Sequence, residues 1–464
     1  MTRSYEAAIQ NNKQFVIWGY GNYLNEVFCR LSPDLNIIGI CDSDSRKWGK
    51  DKFKLGYVCM NPNLIMDRTD IVVLIAVQSK VIENEIVQIL DSANIEHYHI
   101  NDAVRSFQNQ WEQEEIKKYD ARMANVPEPG ESDKLKRFIS ISVPVEVCNL
   151  RCRYCYIGQR NAFMPKEVIY HSPQFIRRAL SRKRMGGTSL INFCGTGETL
   201  LCDELISIVK ELLAEGHYIS IITNAILTEQ IKSLINVSKE YNERLFFKCS
   251  FHYAELLKKG LLTRFVSNID LIKESGVSYS IELVPEDDII PMIDEIKDFS
   301  MNNFGALPHL TVARDETTSA WPILTNLTTK EYYNIWGQFH SQMFSFKMNN
   351  REKQHGFCWA GDRALLFSLD RGDLMPCPGN KPIGNIYKSI DQNVQFEPVG
   401  TNCANAHCIN AHAYLTLGLI SEVGENSYLE MRDRETTTGE HWVQPRMASF
   451  MKQRLCDNYG LEEE

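Results

Sequence analysis

Val147-Cys148-Asn149-Leu150-Arg151-Cys152-Arg153-Tyr154-Cys155-Tyr156 sets three thiols in one short stretch, with the spacing C-x3-C-x2-C. Three thiolates cannot close a structural tetrahedral metal site, which takes four protein ligands. They suffice for three irons of a [4Fe–4S] cube and leave the fourth iron open to a small molecule. A zinc site completed by a distant fourth ligand is the competing reading, because spacing alone does not name the metal. Just upstream, Phe138-Ile-Ser-Ile-Ser-Val143 reads as a strand that delivers the loop.

Further segments follow in order. Asn192-Phe-Cys194-Gly195-Thr-Gly197-Glu198-Thr199 joins small residues to an acid, and small residues let a backbone approach a ligand closely. Ile219-Ser-Ile-Ile-Thr-Asn224 and Phe246-Phe-Lys-Cys249-Ser250-Phe-His252 read as strands with polar ends. With the cysteine loop, and with Tyr154 before its last cysteine, this series resembles the radical S-adenosylmethionine (radical SAM) enzymes. The resemblance implies that Cys148, Cys152 and Cys155 hold a [4Fe–4S] cluster whose open iron chelates SAM. It implies reductive cleavage of SAM to methionine and a 5'-deoxyadenosyl radical that takes a hydrogen atom from the substrate. Gly195, Gly197 and Glu198 match the family's Gly-Gly-Glu segment at the SAM amino group, with Thr199 where proline is frequent. Asn224 and Ser250 are carried over as SAM contacts. Taken singly, the glycine–glutamate segment reads equally as a strand-to-helix turn, and Asn224 as a helix cap.

The 464 residues suffice for about three domains. With 44% hydrophobic and 23% charged residues, the composition is that of an ordinary globular protein. A net charge of −9 argues against nucleic-acid binding. No apolar run approaches a membrane span and the first residues lack a signal-peptide core, so a cytoplasmic protein without membrane contact is expected. Fourteen cysteines then point to metal or redox chemistry rather than disulfides.

The expected fold class is α/β. An N-terminal Rossmann-like parallel sheet (1–105) is followed by a linker (106–135) with a charged helix over Gln110–Arg122. A central partial (β/α)6 barrel (136–345), a C-terminal Twitch-like iron–sulfur domain (346–420) and an extension (421–464) follow. In the first region the strands are Gln14–Trp18, Asn36–Asp42, Asp70–Ala76 and His97–Ile100, with helices over Tyr23–Leu31 and Val81–Ala93. Gly19-x-Gly21 and Asp42 echo a dinucleotide fingerprint, but Leu24 stands where the third glycine belongs. The region resembles instead small Rossmann-like domains of surface-sugar biosynthesis enzymes, which implies a nucleotide-sugar in its crevice; a docking domain is the alternative. Glu282 and Arg314 fall at strand ends five and six, where a barrel has its mouth. They are candidate SAM or substrate contacts, or else a structural salt bridge. The extension, rich in polar and aromatic residues from Tyr428 to Trp442, either covers that mouth or forms a capping helix, and Glu462–Glu464 reads as a frayed end.

A second set, Cys358, Cys377, Cys403 and Cys408, follows the barrel. Cys358-x13-Gly372-x4-Cys377 resembles the opening of SPASM and Twitch domains, with a hairpin turning at Arg371-Gly372; the remaining SPASM cysteine pattern is absent. The resemblance implies one auxiliary [4Fe–4S] cluster. Zinc on the same thiols, or replacement of one ligand by His407 or His412, are the alternatives. Cys194 and Cys249 lie near strand ends and are candidate hydrogen donors to a substrate radical. The expected reaction is oxidation or epimerisation of a small polar metabolite, by analogy a nucleotide-linked sugar, with flavodoxin or ferredoxin as reductant. A radical SAM peptide maturase and a non-enzymatic iron–sulfur or zinc regulator are the rival readings.

Overall fold

Two separate runs of strand and helix build the protein, and the computed structural model describes residues 5–130, 133–145, 147–163, 169–401 and 403–459. They fall into two compact units, one of Met1–Lys117 with Tyr170–Ser172, the other of Lys118–Ile169 with Pro173–Glu464.

The first unit holds five strands, β1 (Gln14–Trp18), β2 (Ile37–Cys41), β3 (Cys59–Met60), β4 (Ile71–Ile75) and β5 (Glu96–His99), in the order β3-β2-β1-β4-β5. All pairs are parallel. Every residue of β4 is buried, as its unbroken apolar run requires of a strand covered on both faces. The helix expected over Tyr23–Leu31 is α-helical only from Asn22 to Val27 and tightens into a 3-10 turn at Phe28–Arg30, ahead of Pro33, where a helix cannot continue. The helix expected at Gln110–Arg122 is longer, running without a break from Ile100 to Met123. No glycine or proline interrupts that stretch, so nothing breaks the helix at the expected boundary after residue 105, and it ends at Met123 within the expected linker.

The second unit is built on nine strands: β6 (Leu135–Val143), β7 (Thr188–Gly195), β8 (Tyr218–Thr223), β9 (Leu245–Ser250), β10 (Ser278–Leu283), β11 (His309–Leu310), β12 (Ala364–Ser368), β13 (Asp373–Met375) and β14 (Gly384–Asn385). Their order is β11-β10-β9-β8-β7-β6-β12-β13-β14. β6 to β11 are parallel and sequential, so all their carboxyl ends lie on one rim. The hairpin of β12 and β13 departs from the expectation of a separate domain after residue 345. β12 pairs in parallel with β6, from Ala364 opposite Phe138 to Ser368 opposite Ser142, and extends the same sheet. Its apolar residues, Ala364, Leu365 and Phe367, are buried on both faces, which an independent two-stranded hairpin cannot achieve. The turn at Gly372 has φ +73°, and a Cβ there would lie 2.4 Å from the Tyr387 ring, so both conformation and space demand glycine.

The C-terminal extension serves both ends of the sheet: Tyr428 lines the cavity over the strands' carboxyl ends and Arg432 pairs with Glu282 of β10, as expected of a stretch at the mouth, whereas the part after Trp442 packs at the opposite end. Its helix Pro445–Met451 buries Met447, Phe450 and Met451 against Leu135, Leu190, Tyr218 and Phe246, residues at or near the amino ends of β6 to β9. The Phe450 ring stacks on Tyr218 at 3.6 Å between centroids. Apolar spacing of the helix thus closes the floor of the sheet. The acidic stretch Glu462–Glu464 lies outside the described residues. Among the described residues no helix is long and apolar enough to cross a membrane.

Candidate active site and a second cysteine cluster

A cavity of about 390 Å³ opens over the strand ends of the second unit, lined from β6 to β10 and by the loop beyond β11. The pleat decides which side chains reach it, since neighbours along a strand face opposite ways. Asn192 and Cys194 of β7 line it, as do Lys248 and Ser250 of β9. Cys249, between the latter two, is completely buried and outside the lining. The expectation that Cys249 donates hydrogen to a substrate is therefore corrected: its thiol sits on the other face of β9. Cys194 keeps access to the cavity.

Cys148, Cys152 and Cys155 all line this cavity. Burial pushes the Cys152 thiol far up, and the neighbouring Cys148 and Cys155 push it further. Three such sulfurs side by side form a soft donor set suited to iron–sulfur ligation. Gly197 shapes their loop. A Cβ on it would lie 2.1 Å from the Val147 carbonyl oxygen and 2.4 Å from that of Val145. The Glu198 N–H donates to that Val147 carbonyl (3.1 Å), and Thr196 N–H to Val143 (3.2 Å). Gly195 N–H donates to the Thr199 hydroxyl at 2.8 Å, a side-chain bond that proline could not make there.

Glu198 is turned into the protein. Its carboxylate accepts from the Thr223 hydroxyl (2.6 Å), Asn224 N–H (2.8 Å) and Leu200 N–H (3.1 Å). Burial raises its pKa against the lowering effect of these donors. The acid thereby ties the β7 turn to the end of β8. Asn224 Nδ2 donates to Asn149 Oδ1 at 2.6 Å, inside the cysteine loop, while its Oδ1 caps Ile226 N–H at 3.3 Å. Tyr154 hydrogen-bonds His252, whose imidazole burial holds neutral with a pKa of about 4. Ser250 lines the cavity beside it.

Glu282 on β10 is paired with Arg432, which has no exposed surface and lies 4.8 Å from the Tyr428 ring. Burial would raise the Glu282 pKa, but Arg432, Lys248, His309 and Lys347 together hold it below the usual range. Arg314 lies beyond β11, bridging to Ile323 and paired with Glu316 at 2.9 Å. Glu316 also binds Arg160 at 2.8 Å. Three lining residues carry charge that the sequence reading did not single out, Glu316, Lys248 and Lys347. Lys248 was legible as the residue sharing Ser250's face; Lys347 comes from the helix Gln342–Asn349, outside any motif.

Cys358, Cys377, Cys403 and Cys408 converge on a second, tight cavity of about 30 Å³. Burial raises Cys408, and its three partners add to the effect. Asn380 Nδ2 and Asn405 Nδ2 donate to Cys377 Sγ at 2.8 and 3.6 Å, the kind of bond that tunes a ligated sulfur. His407 lines this cavity, but His412 lines the larger one, which removes it as a substitute ligand. The segment Cys408–Tyr414 is the partition: Cys408 and Tyr414 face the small cavity, His412 the large one, and Asn410 lines both. Among the described residues, no group of three or more His, Cys, Asp or Glu is placed around a single metal ion.

In the first unit the expected ligand groups are engaged by the protein. Asp42 accepts from Tyr20 N–H (2.7 Å), Lys47 Nζ (2.7 Å) and Asp44 N–H (2.8 Å). At Gly19, φ +124°, a Cβ would lie 2.5 Å from the Ala76 carbonyl oxygen. The glycine thus serves the close approach of β1 and β4 ends, and the acid is engaged in shaping the turn itself.

Residues 142–288 match the family model described as Radical SAM superfamily. A search of curated protein sequences gives no match. Among solved structures, Streptococcus suis SuiB bound to S-adenosylmethionine is similar at 16% identity, over 66% of this chain and 74% of that one, with a TM-score of 0.41. Native anSMEcpe with bound AdoMet is similar at 14% identity, over 54% of this chain and 78% of that one, with a TM-score of 0.41. BtrN in complex with AdoMet and 2-DOIA is similar at 16% identity, over 56% and 84%, with a TM-score of 0.29. The second unit thus contains a radical SAM domain, and the cofactors of that superfamily are a [4Fe–4S] cluster and SAM.

Proposed function

We propose that the chain is a radical SAM oxidoreductase that oxidises a small polar substrate at a carbinol carbon. Cys148, Cys152 and Cys155 would hold the SAM-binding cluster, and Cys358, Cys377, Cys403 and Cys408 an auxiliary [4Fe–4S] cluster. When bound, these groups supply hydrogen-atom abstraction at one site and an electron acceptor at the other. The partition carries the reading: Asn410 borders both cavities, so a substrate in the larger one lies one residue's thickness from the second cysteine set. A two-electron oxidation needs such proximity, and a merely structural second site does not.

The chain's own residues complete the chemistry. His412 presents a buried Nδ1 with no hydrogen-bond partner among the described residues, within a residue that lines the cavity. Burial and the surrounding cations keep its imidazole neutral. A neutral nitrogen accepts a hydrogen bond from a substrate hydroxyl and so orients the carbinol that is oxidised. Gly197 and Asn224 fix the cysteine loop; Glu282, locked by Arg432, holds the wall opposite. The first unit, Rossmann-like in strand order, is assigned to docking, because Asp42 is already engaged.

Product mass tests the reaction. Anaerobically reconstituted protein with SAM and dithionite is incubated in D2O with candidate polyols, sugars and peptides. Oxidation lowers the product mass by about two units. A gain of about one would instead mean inversion through an exchangeable thiol, for which Cys194 is the cavity-lining donor, and would overturn the proposed reaction. A modified peptide as the sole product would establish the maturase reading. Absence of 5'-deoxyadenosine altogether would remove the enzyme assignment in favour of a regulator.

A further inference from the structure

Positive and negative charges lining the large cavity are equal in number, but two of the cations are left without a carboxylate of their own. Its lining includes three cations, Lys248, Arg314 and Lys347, and three carboxylates, Glu198, Glu282 and Glu316. The carboxylates are already engaged: Glu198 by hydroxyl and backbone donors, Glu282 by Arg432, and Glu316 by Arg314 and Arg160. Lys248 and Lys347 are left over. Lys248 is only 6% exposed, and its Nζ donates to Asn192 Oδ1 at 3.2 Å. That same oxygen accepts from the Ser220 hydroxyl at 3.2 Å. Lys347 Nζ donates to the Thr311 hydroxyl at 2.6 Å. Neither lysine forms an ion pair among the described residues. Each has one neutral acceptor where an ammonium offers three donors.

A buried ammonium without a counter-charge is costly, and proteins pair such groups or expose them. Here Lys248 is buried and Lys347 partly buried; both face one cavity and act on one carboxylate, Glu282, whose pKa each lowers. Lys347 is itself pressed well below its ordinary range by burial, with Arg314, Arg432 and Lys248 adding repulsion. The surroundings thus favour a further negative charge between them. We propose that Lys248 and Lys347 form an oxyanion-binding site and that the substrate carries a carboxylate or phosphate that they hold. This deepens the assignment of the cavity to substrate and rests on it. It narrows the substrate class from polar to anionic, and it places the charged end beside Asn192 and Thr311.

SAM carries a carboxylate too, so the test separates the two sources. Full-length reconstituted protein saturated with SAM is titrated calorimetrically with inorganic phosphate and with acetate. The proposal expects wild type to bind at least one of these probes, and Lys248→Met and Lys347→Met each to bind it at least tenfold more weakly. SAM affinity, titrated separately, should stay within twofold of wild type in both variants. A tenfold loss of SAM affinity would mean that the lysines grip SAM itself, and overturns the proposal. Equal probe binding by wild type and variants, or none by wild type, overturns it as well. Thermal unfolding guards against misfolding: removing a cation of the cavity wall that has no carboxylate partner should leave Tm unchanged or raise it, and a fall would identify a purely structural lysine and overturn the proposal. Wild type that cleaves SAM yet ignores both probes refutes this inference alone. Wild type that cannot cleave SAM refutes the reading on which it rests.

Discussion

Gly197→Ala is the smallest change that should unseat the first cysteine loop. The new Cβ would stand 2.1 Å from the Val147 oxygen, 2.7 Å from its carbon and 2.4 Å from the Val145 oxygen. All three are backbone atoms, so no side chain can swing aside; the loop itself must retreat by about 1 Å to reach ordinary contact. Overpacking of this kind costs about 1–3 kcal/mol. The Glu198 N–H to Val147 bond at 3.1 Å sits in the same contact and would break, adding about 1 kcal/mol. A loop disfavoured by about 2–4 kcal/mol holds its three thiols together in few molecules. The expected result is loss of about half the iron, from ~8 to ~4 per chain, because only the distal four cysteines keep their geometry. Reductive 5'-deoxyadenosine formation should fall about thirtyfold to a thousandfold. Gly158→Ala is the control, since nothing lies within 4 Å of its Cβ. Full iron and full SAM cleavage in Gly197→Ala, with the fold intact by circular dichroism, would refute the argument that close backbone approach is what this glycine provides.

Other outcomes follow from the same geometry. Replacing Cys148, Cys152 and Cys155 together by Ala should leave about four irons and no 5'-deoxyadenosine; zinc in the remaining site by metal analysis would contradict the auxiliary cluster. Glu282→Ala strands the fully buried Arg432, which should destabilise the protein by about 3–5 kcal/mol in urea unfolding; a loss under about 1 kcal/mol would show that Arg432 finds another partner. His217 has Nδ1 accepting from Ser189 N–H (3.1 Å) and Nε2 bonded to the Leu180 carbonyl (2.7 Å), and burial lowers its pKa to about 4. Its neutral form is favoured by folding, so its contribution is intact above the unfolded value near 6.5 and is lost as pH falls towards 4, by up to about 3 kcal/mol. Stability of cluster-free protein that does not decline between pH 7 and 4.5 would contradict this.

Much of the site could be read along the chain because its chemistry is local. The C-x3-C-x2-C loop, the glycine turn and Asn224 occupy consecutive strand ends, and the structure brings them to one cavity. What escaped was non-local or a matter of facing. Cys249 and Ser250 are neighbours, and only the pleat separates a core thiol from a cavity hydroxyl. Lys347 enters from a helix about a hundred residues after β9, so its meeting with Lys248 is a tertiary fact. His412 resembled a spare ligand by its distance from Cys408, yet the short helix Ala411–Tyr414 carries it to the other side of the partition. Asp42 fitted a fingerprint by spacing, whereas its bonds to Tyr20 and Lys47 show an acid that shapes its own turn.

The parallel pairing of β12 with β6 bears on how this protein can be cut. β6 carries the first cysteine loop at its end, and β12 covers its outer side with buried Leu365 and Phe367. A fragment stopping before residue 350 would leave nine residues of β6 as a bare edge, presenting unpaired N–H and carbonyl groups and apolar flanks to any passing chain. The radical SAM segment is therefore not an excisable module. Engineers who wish to swap the distal cysteine region should graft at the loops around β12 and retain that strand, or expect aggregates in place of a smaller catalyst.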